Sequence, residues 1–246
     1  MIDDLRQVTF FQDLPEHAIQ ELLPKLKHRH FKKNHTIIYE EDTNRDIFII
    51  RSGFVKVYRI EEDKEFIFNF FFPGETVGEV EAIDPASARI ASIEAMDNVQ
   101  AWMLSGEDFM QLTERYPSIL RRAYCQLVDN IRVLNRKICY LSFMDVRRKC
   151  ANLLLDLSTN LGTEDSGYIQ IQYKFPHHVL ANMIGVTRES LSKTLKEFQD
   201  EGIIAVNQKT ITIMNLKKMS DISESSYIEQ KQRFWRRKDS THHFNG

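Results

Sequence analysis

A group of charged and hydroxyl-bearing residues near the end of the chain could read the edges of nucleic-acid bases. Arg188 and Glu189 follow the turn-like sequence Gly-Val-Thr directly, and Lys193 lies four residues beyond the glutamate. At about 100° per helical residue, a single arc of about 140° holds the whole group: Arg188, Glu189, Ser192, Lys193, Lys196 and Gln199. Arginine can bind guanine through two hydrogen bonds, and glutamate can accept one from cytosine N4. The spacing therefore predicts a base-reading helix, with roughly 1–3 kcal/mol of discrimination per good contact.

Two short helices joined by a glycine turn would present this arc. The patterns predict helices over residues 176–184 and 187–199, and Thr187 is a good N-cap for the second. A small side chain, a turn glycine and an apolar anchor have helix-turn-helix spacing; they are Ala181, Gly185 and Leu191. Downstream, "DEGIIAVNQKTITIM" predicts two short strands around "NQK". Together these elements predict a winged helix-turn-helix.

A simpler interpretation of the same helix is a solvated polar face. Glu189 and Lys193 are spaced for an i,i+4 ion pair, which stabilises an exposed helix without any binding partner. The predicted wing that follows the helix and a long helix upstream of it favour the base-reading interpretation over this one.

The long upstream helix carries the most regular apolar pattern in the chain. Seven residues, called the seam below, alternate steps of four and three over three heptads: Leu120, Tyr124, Leu127, Ile131, Leu134, Ile138 and Leu141. β-branched residues at the a positions with leucine at the d positions favour a parallel two-stranded coiled coil. The alternative is a single helix packed on its own domain. The polar flanks of the seam favour a dimer helix over residues 117–144.

Between Phe31 and Leu104 the pattern has the period of strands. Short β-branched and aromatic runs, among them "DIFIIRSGFVKVYRI", "ETVGEV" and "NVQAWML", predict strands separated by charged or Gly/Pro/Asp turns. Their even spacing predicts a sandwich or barrel. Gly53 lies where a tight turn or bulge would need positive φ. A short amphipathic helix over residues 14–26 is predicted before the strands.

Composition and charge limit the class of protein. The chain has 246 residues, of which 42% are hydrophobic and 28% charged, and a formal net charge of −2. Binding to nucleic acid must therefore use a local face, because no overall basic footprint exists. No apolar run approaches the roughly 18 residues that span a bilayer, and the N-terminus lacks the pattern of a secretory signal. These features predict a cytoplasmic protein without membrane association.

The order of strand-rich region, long helix and winged helix-turn-helix resembles the CRP/FNR family of bacterial transcription regulators. The resemblance covers about residues 14–216 and is carried by "IFIIRSGFVKVY", "FFPGETVGEVEAI", "ARIAS", "LSFMDVRRKCANLLLDL" and "GVTRESLSKTLKEF". It implies an α+β architecture with an N-terminal β-roll (a double-stranded β-helix like that of cyclic-nucleotide-binding domains), a long dimerisation helix and a C-terminal winged helix-turn-helix. The predicted divisions are 1–116 for the sensor roll with its N-terminal helix, 117–144 for the dimerisation helix, 145–216 for the DNA-binding domain and 217–246 for a polar tail. We expect this tail to be a loose helix or disordered, and it could dock through Phe234 and Trp235.

The resemblance implies a homodimer that binds double-stranded DNA and works with RNA polymerase, and it does not imply an enzyme. Arg188, Glu189 and Lys193 match the CRP-type reading pattern, and Glu189, Ser192 and Lys193 match the FNR-type pattern. An inverted repeat of half-sites with a GTGA- or TTGA-like core is implied. Lys193 replaces the usual arginine, so a bidentate contact becomes a less specific point-charge contact. Thr187 and Lys196 complete the predicted DNA-binding set.

The implied effector pocket departs from the pattern of cyclic-nucleotide-binding relatives. Gly78, Glu79 and Arg89 match the residues that hold the ribose and the cyclic phosphate in those relatives. However, Ile90 replaces a hydroxyl-bearing residue, and Glu81 puts a negative charge where the phosphate would lie.

The part of the pocket that the dimer helix would supply departs as well. Leu134 and Asn135 stand where relatives present paired hydroxyls to the base. Losing two contacts at roughly 1.5–3 kcal/mol each would weaken binding about 10²–10⁴-fold. We therefore predict a small effector of unknown identity, other than cyclic AMP. An ion pair between Glu79 and Arg89 that closes the roll is the equal alternative.

Cysteine and histidine positions bear on other cofactors. The oxygen-sensing branch of the family uses an N-terminal cysteine cluster, and the first cysteine here is Cys125, so no iron–sulfur cluster is predicted. Cys125 and Cys139 share the b-type flank of the seam, where a direct disulfide between partners is hard to build. Together with Cys150 they fit neither a disulfide framework nor a metal site. Three histidines are predicted on the surface at a strand edge: His28, His30 and His35.

Two other classes of function are open alternatives. A β-barrel metal enzyme would need a His-x-His pair, an acid and a third histidine on later strands. "HRH" at residues 28–30 is the one such pair and lacks both companions, so we predict no catalytic and no metal-binding residues. The other alternative is a ligand-binding or interaction protein whose helix no longer reads DNA. The net charge permits it, and the intact polar arc opposes it.

Overall fold

The chain forms two compact units that divide within a long helix. The computed structural model describes residues 2–84, 86 and 88–223. The first unit extends to Asn130, and the second begins at Ile131. The first contains α1 (Ile2–Arg6), α2 (Glu16–Leu22), a 3-10 turn (Leu23–Lys25), β1 (Lys27–Phe31), β2 (Thr36–Ile38), β3 (Ile47–Ser52), β4 (Val55–Glu61), β5 (Lys64–Phe71), β6 (Thr76–Val77), α3 (Glu79–Ile83), β7 (Ser92–Ala95), β8 (Val99–Leu104) and α4 (Gly106–Arg115).

Two four-stranded antiparallel sheets form the strand-rich part of the first unit. Their orders are β1-β8-β3-β6 and β2-β7-β4-β5. Buried residues from both sheets share one core, because alternate side chains of each strand point to the same face. This core includes Ile38, Phe48, Ile50, Val55, Phe71, Ile93, Val99 and Ala101. The predicted strand-rich roll is confirmed.

A second core lies on the other face of β3 and β8. The side chain of Trp102 is fully buried there with Phe10 and Phe109, so the N-terminal helices and α4 cover this face. The predicted helix over residues 14–26 is α2 with its following 3-10 turn, and α1 was not predicted.

Two glycines shape the roll. Gly53 has φ +73°, as predicted, and a Cβ atom there would collide with the main-chain carbonyl of Asn98. Gly78 has φ +88° and ends the strand after Val77. The strand predicted over "ETVGEV" is therefore wrong beyond β6, because the left-handed turn directs the chain into α3.

The predicted long helix is α5 (Ser118–Phe143). All seven seam residues are exposed on it, with relative accessibilities between 40% and 67%. Within residues 2–84, 86 and 88–223, no helix has both the length and the apolar character required to cross a membrane.

Up to Ser223, where the described residues end, the second unit contains four further helices and a four-stranded sheet of order β11-β12-β10-β9. Its elements after α5 are α6 (Val146–Leu161), β9 (Gly162–Asp165), β10 (Tyr168–Ile171), α7 (His177–Ile184), α8 (Arg188–Asp200), β11 (Ile204–Asn207), β12 (Thr210–Ile213) and α9 (Leu216–Ser223). Strands β11 and β12 form the predicted wing. By contrast, β9 lies where only turns were predicted.

Part of the predicted C-terminal tail is an ordered helix. Residues 217–223 belong to α9, whose Met219 side chain is fully buried. Asn152 of α6 donates a hydrogen bond to the carbonyl of Ser223 at 3.1 Å, which ties α9 to the unit. Phe234 and Trp235, which were predicted to dock the tail, lie outside the described residues.

Candidate DNA interface and sensor site

Helices α7 and α8 form the predicted helix-turn-helix. Gly185 has φ +61°, the left-handed conformation that the turn requires. The Thr187 hydroxyl accepts a hydrogen bond from the Ser190 main-chain N–H at 3.2 Å and so caps α8. The inward side of α8 is buried as predicted, through Leu191, Leu195 and Phe198. Both the turn and the orientation of α8 are therefore as the sequence indicated.

The predicted base-reading arc lies on the exposed side of α8. The side chains of Arg188, Glu189, Lys193 and Lys196 are exposed, and Ser192 is half-buried. Among residues 88–223 no ion pair joins Glu189 to Lys193, although their spacing would allow one. The charged groups of the arc thus face outward, as a DNA-reading helix requires.

Ser192 has a partner that the sequence did not indicate. His177, in the first turn of α7, lies with Nδ1 2.8 Å from the Ser192 hydroxyl. This contact orients the hydroxyl at the border between the buried and exposed sides of α8. The residues are fifteen positions apart, so helical spacing within α8 could not reveal the pair.

Arg147 of α6 holds the C-terminal end of α8. Its guanidinium lies 2.6 Å from the Glu201 carboxylate and 3.6 Å from that of Glu197. It also stacks over the buried Phe198 ring at 4.9 Å. The hydrogen bond from Arg147 lowers the pKa of Glu201. Stacking and pairing together orient α8 relative to α6.

A buried amide joins three helices of the second unit. Asn152 accepts a hydrogen bond from the Tyr140 hydroxyl of α5 at 3.3 Å. It donates to the carbonyls of Arg148 at 2.9 Å and of Ser223 at 3.1 Å. Because a buried amide is costly unless its hydrogen bonds are made, Asn152 links the end of α5, α6 and α9.

The predicted sensor residues cluster at the turn between β6 and α3. Arg89 is almost fully buried, and its guanidinium donates to the carbonyls of Gly78 and Asp46, both at 2.7 Å. Its ion-pair partner is Glu81, at 2.8 Å. The ion pair between Glu79 and Arg89, one of the two alternatives that the sequence left open, is therefore wrong. In a helix, residues two apart point to nearly opposite sides, so only one of the two glutamates can face Arg89.

Glu79 instead faces α5. Its Oε1 accepts a hydrogen bond at 2.9 Å from the amide of Gln126, which also donates to the Thr76 carbonyl at 3.1 Å. Gln126 was not predicted, since it lies between seam positions. Glu79 Oε2 and the Thr76 hydroxyl are buried and lack hydrogen-bond partners among the described residues.

The two predicted pocket residues of the long helix belong to the second unit. Leu134 and Asn135 are both exposed on α5. In the first unit, the side chain that α5 contributes to the polar cluster is Gln126.

Burial changes the acidity of Glu79. Desolvation raises its pKa from 4.5 to about 7, and the neighbouring negative charge of Glu81 adds to the shift. Between these two values the folded protein keeps a proton that the unfolded chain has released. Its free energy of unfolding should therefore fall as the pH rises from 4.5 to about 7. At about 1.4 kcal/mol per tenfold change in proton affinity, this fall is roughly 3–4 kcal/mol.

Glu79→Gln should remove this fall, because glutamine cannot ionise. We expect the variant to be more stable than the native protein at pH 8 by roughly 1–3 kcal/mol, with a smaller difference at pH 5, in urea unfolding followed by circular dichroism. Glu114→Gln, the same change at an exposed position of α4, should keep the native pH dependence. Parallel profiles for the native protein and Glu79→Gln would refute the assignment.

The three cysteines lie in different environments, and the histidines near β1 lie on the surface. Cys125 and Cys139 are exposed, and Cys150 is buried, where desolvation raises its pKa to about 12. His28 and His30 are exposed on the edge strand β1, as predicted, whereas His35 is exposed between β1 and β2 and not on a strand. No group of three or more potential metal ligands occurs within the described part of the chain.

Comparison with known proteins agrees with both halves of this architecture. The family profile described as "Cyclic nucleotide-binding domain" matches residues 28–116, and "Crp-like helix-turn-helix domain" matches residues 148–222. The CRP-like cAMP-activated global transcriptional regulator of Mycobacterium tuberculosis is 26% identical over 221 residues, which cover 89% of this chain and 98% of the relative. The cAMP-activated global transcriptional regulator CRP of Escherichia coli is 28% identical over 194 residues, covering 76% and 91%. The chain belongs to the CRP/FNR family.

Solved structures share the fold of this CRP/FNR protein. The c-di-GMP-responsive global regulator CLP of Xanthomonas campestris superposes with a TM-score of 0.72 at 23% identity, over 81% of this chain and 99% of that one. FixK2 of Bradyrhizobium japonicum has a TM-score of 0.72 at 15% identity, over 82% and 98%. As a family member with a helix-turn-helix DNA-binding domain, the protein is a transcription regulator and not an enzyme.

Proposed function

We propose that this CRP/FNR regulator acts in the cytoplasm as a homodimer that binds inverted-repeat operators through α8 and works with RNA polymerase. One observation carries the proposal. All seven seam residues, four leucines, two isoleucines and a tyrosine on one stripe of α5, are exposed in the single chain. An apolar stripe of this length on a soluble surface marks an interaction site.

The composition of the seam supports a second copy of the chain as its partner. Ile131 and Ile138 occupy a positions, and Leu127, Leu134 and Leu141 occupy d positions, which favours two parallel strands. A parallel pair makes the interface isologous, so each seam residue meets its own counterpart or a near neighbour. The same surface patch then serves both subunits.

Two copies of α8 would read the two halves of an operator. In helix-turn-helix dimers the half-sites lie one duplex turn apart, about 34 Å. Arg188 would bind guanine through two hydrogen bonds, and Glu189 would accept from cytosine N4. Lys193 and Lys196 would reach guanine acceptors or phosphates. Ser192, whose hydroxyl is oriented by His177, would contact the DNA as well. Thr187 contributes as the cap that sets the start of α8. A GTGA- or TTGA-like core is the half-site that this set favours.

A small effector in the sensor roll would modulate DNA binding, and we propose that it is not cyclic AMP. The names of the Mycobacterium tuberculosis and Escherichia coli relatives describe cAMP-activated regulators, which favours the opposite view. The polar cluster supports an effector other than cyclic AMP, because Glu81 already neutralises Arg89 and Glu79 is a second buried acid nearby. A phosphate at Arg89 would meet the Glu81 carboxylate, which already pairs with the guanidinium. No iron–sulfur cluster is proposed, since no cysteine precedes Cys125.

Selection from a random duplex library tests the DNA-binding proposal. The purified protein should enrich inverted repeats with GTGA- or TTGA-like half-sites, and it should sediment as a dimer at the concentrations used. Binding to the selected site should weaken steeply with salt, because each phosphate contacted adds about 0.9 to the slope of log K against log salt. Enrichment of no palindrome would favour the alternative of an interaction protein that no longer reads DNA.

A further inference from the structure

Arg89 and Glu81 form a buried ion pair in the sensor roll. Their side chains are 2% and 8% exposed, and Arg89 Nη1 lies 2.8 Å from Glu81 Oε2. Arg89 follows the turn that leads to β7, and Glu81 is in α3, so the pair bridges two segments of the roll. Removing one partner of such a pair lowers the free energy of unfolding, because the remaining charge is uncompensated.

The Glu81 carboxylate accepts from two different kinds of donor. Oε2 accepts from the Arg89 guanidinium at 2.8 Å, and Oε1 accepts from the main-chain N–H of Ile90 at 3.3 Å. A guanidinium and a main-chain N–H converging on one acceptor group constitute an anion-binding site. Arg89 Nε is buried without a hydrogen-bond partner among the described residues. Arg89 and the Ile90 main chain therefore offer more N–H donors than the Glu81 carboxylate accepts from. These donors would suit an anion with three acceptor oxygens.

Arg89 is held in place without help from Glu81. Its guanidinium donates to the carbonyls of Gly78 and Asp46, and its main-chain N–H donates to the Asp42 carbonyl at 3.1 Å. A Cβ atom on Gly78 would lie 3.0 Å from Arg89 Nη1, so the turn fits closely around the guanidinium. Removing the Glu81 side chain should leave the guanidinium where it is, with its charge uncompensated.

We infer that Glu81 is an internal ligand that fills the anion site of the sensor roll. An external anion could bind Arg89 only by displacing a buried carboxylate, which would then be left unpaired. The native protein therefore binds no phosphate-bearing effector at Arg89. It binds its operator without such an effector, a statement that rests on the proposed DNA-binding function.

Removal of the internal carboxylate tests the inference on the full-length protein. The probes are 3′,5′-cyclic AMP and inorganic phosphate, titrated by calorimetry in low salt in the absence of DNA. We expect Glu81→Ala to bind cyclic AMP at least tenfold more tightly than the native protein does. The double variant Glu81→Ala/Arg89→Gln should lose the gain. Glu81→Gln, which keeps the volume and removes the charge, should show a smaller gain in the same direction.

The titrations of the native protein and its variants show which results would overturn the inference. If Glu81→Ala is too unstable alone, the Glu81→Gln titration decides. Equal cyclic AMP affinity in the native protein and both variants, or binding to none of them, overturns the inference, as does a gain that survives Arg89→Gln. Operator binding gives a second readout. The native protein should bind equally with and without cyclic AMP, whereas Glu81→Ala should respond to it. A calorimetric gain without any operator binding would leave the internal ligand in place and refute the DNA-binding proposal alone.

Discussion

Replacing Ile138 by glutamate is expected to convert the dimer into monomers and to weaken operator binding about 10²–10⁴-fold, because two linked half-site contacts become independent. Ile138 is 59% exposed in the single chain and occupies an a position of the seam. In a parallel dimer the two introduced carboxylates would face each other in an apolar interface, where neither would have a partner. Sedimentation equilibrium and fluorescence anisotropy with a labelled operator measure the two effects.

The control is the same substitution at a matched surface position. Ile60 of β4 is 58% exposed and lies outside α5. Ile60→Glu should leave both the dimer and the operator affinity unchanged, which separates loss of the seam from a general effect of an added surface charge. A dimeric Ile138→Glu protein with native affinity would show that the seam is not the dimer interface.

Replacing Arg188 by alanine is expected to weaken operator binding by about 1–3 kcal/mol per half-site and to relax the base preference at one position of each half-site. Arg188 is the first residue of α8 and is exposed. The first turn of a recognition helix approaches base edges most closely. Anisotropy with single-base operator variants, compared with the unaltered site, measures both the loss and its position.

Arg188→Lys distinguishes base reading from attraction to phosphate. Lysine keeps the positive charge and loses the planar fork that binds guanine bidentately. The variant should retain the native salt dependence while losing most of the base preference. By contrast, Lys196→Ala should lower the salt slope by about one per half-site and leave the base preference intact. An unchanged base preference in Arg188→Ala would show that α8 does not read DNA through this residue.

The two glutamates at the start of α3 make different contacts because they point to opposite sides of the helix. Glu79 faces Gln126 of α5, and Glu81 faces Arg89. Since a helix turns residues two apart to nearly opposite sides, the short segment after Gly78 divides two acids between two contacts. The pH dependence expected from Glu79 and the anion response expected from Glu81→Ala therefore test two different contacts of the same turn.

Features that depend on local spacing could be predicted from residues alone. The period of seven in α5, the positive φ of Gly185 and the Thr187 cap are all properties of a few neighbouring positions. The same holds for the wing, where two alternating runs meet at a turn. Such patterns reflect which face of one element is buried, because the spacing of apolar residues along the sequence indicates that face directly.

Other elements could not be predicted because their cause lies elsewhere in the chain. Strand β9 has an exposed and polar sequence, and it forms because its main chain pairs with β10. Helix α9 lies in a charged stretch and is held by the buried Met219 and by Asn152 of α6. Local composition predicted turns at β9 and a polar tail at α9. Contacts with residues distant in the sequence stabilise a strand and a helix there instead.

By itself, the sequence determined the order of the parts: a strand-rich roll, a helix with an apolar seam and a helix-turn-helix whose polar arc carries Arg188 and Lys193. Periodicity and turn residues suffice for this, since they act within one element. Only the tertiary structure decided which glutamate pairs with Arg89, that Gln126 faces Glu79, and that His177 meets Ser192. Those partners come from different elements, and side-chain distances between elements follow from packing rather than from spacing along the chain.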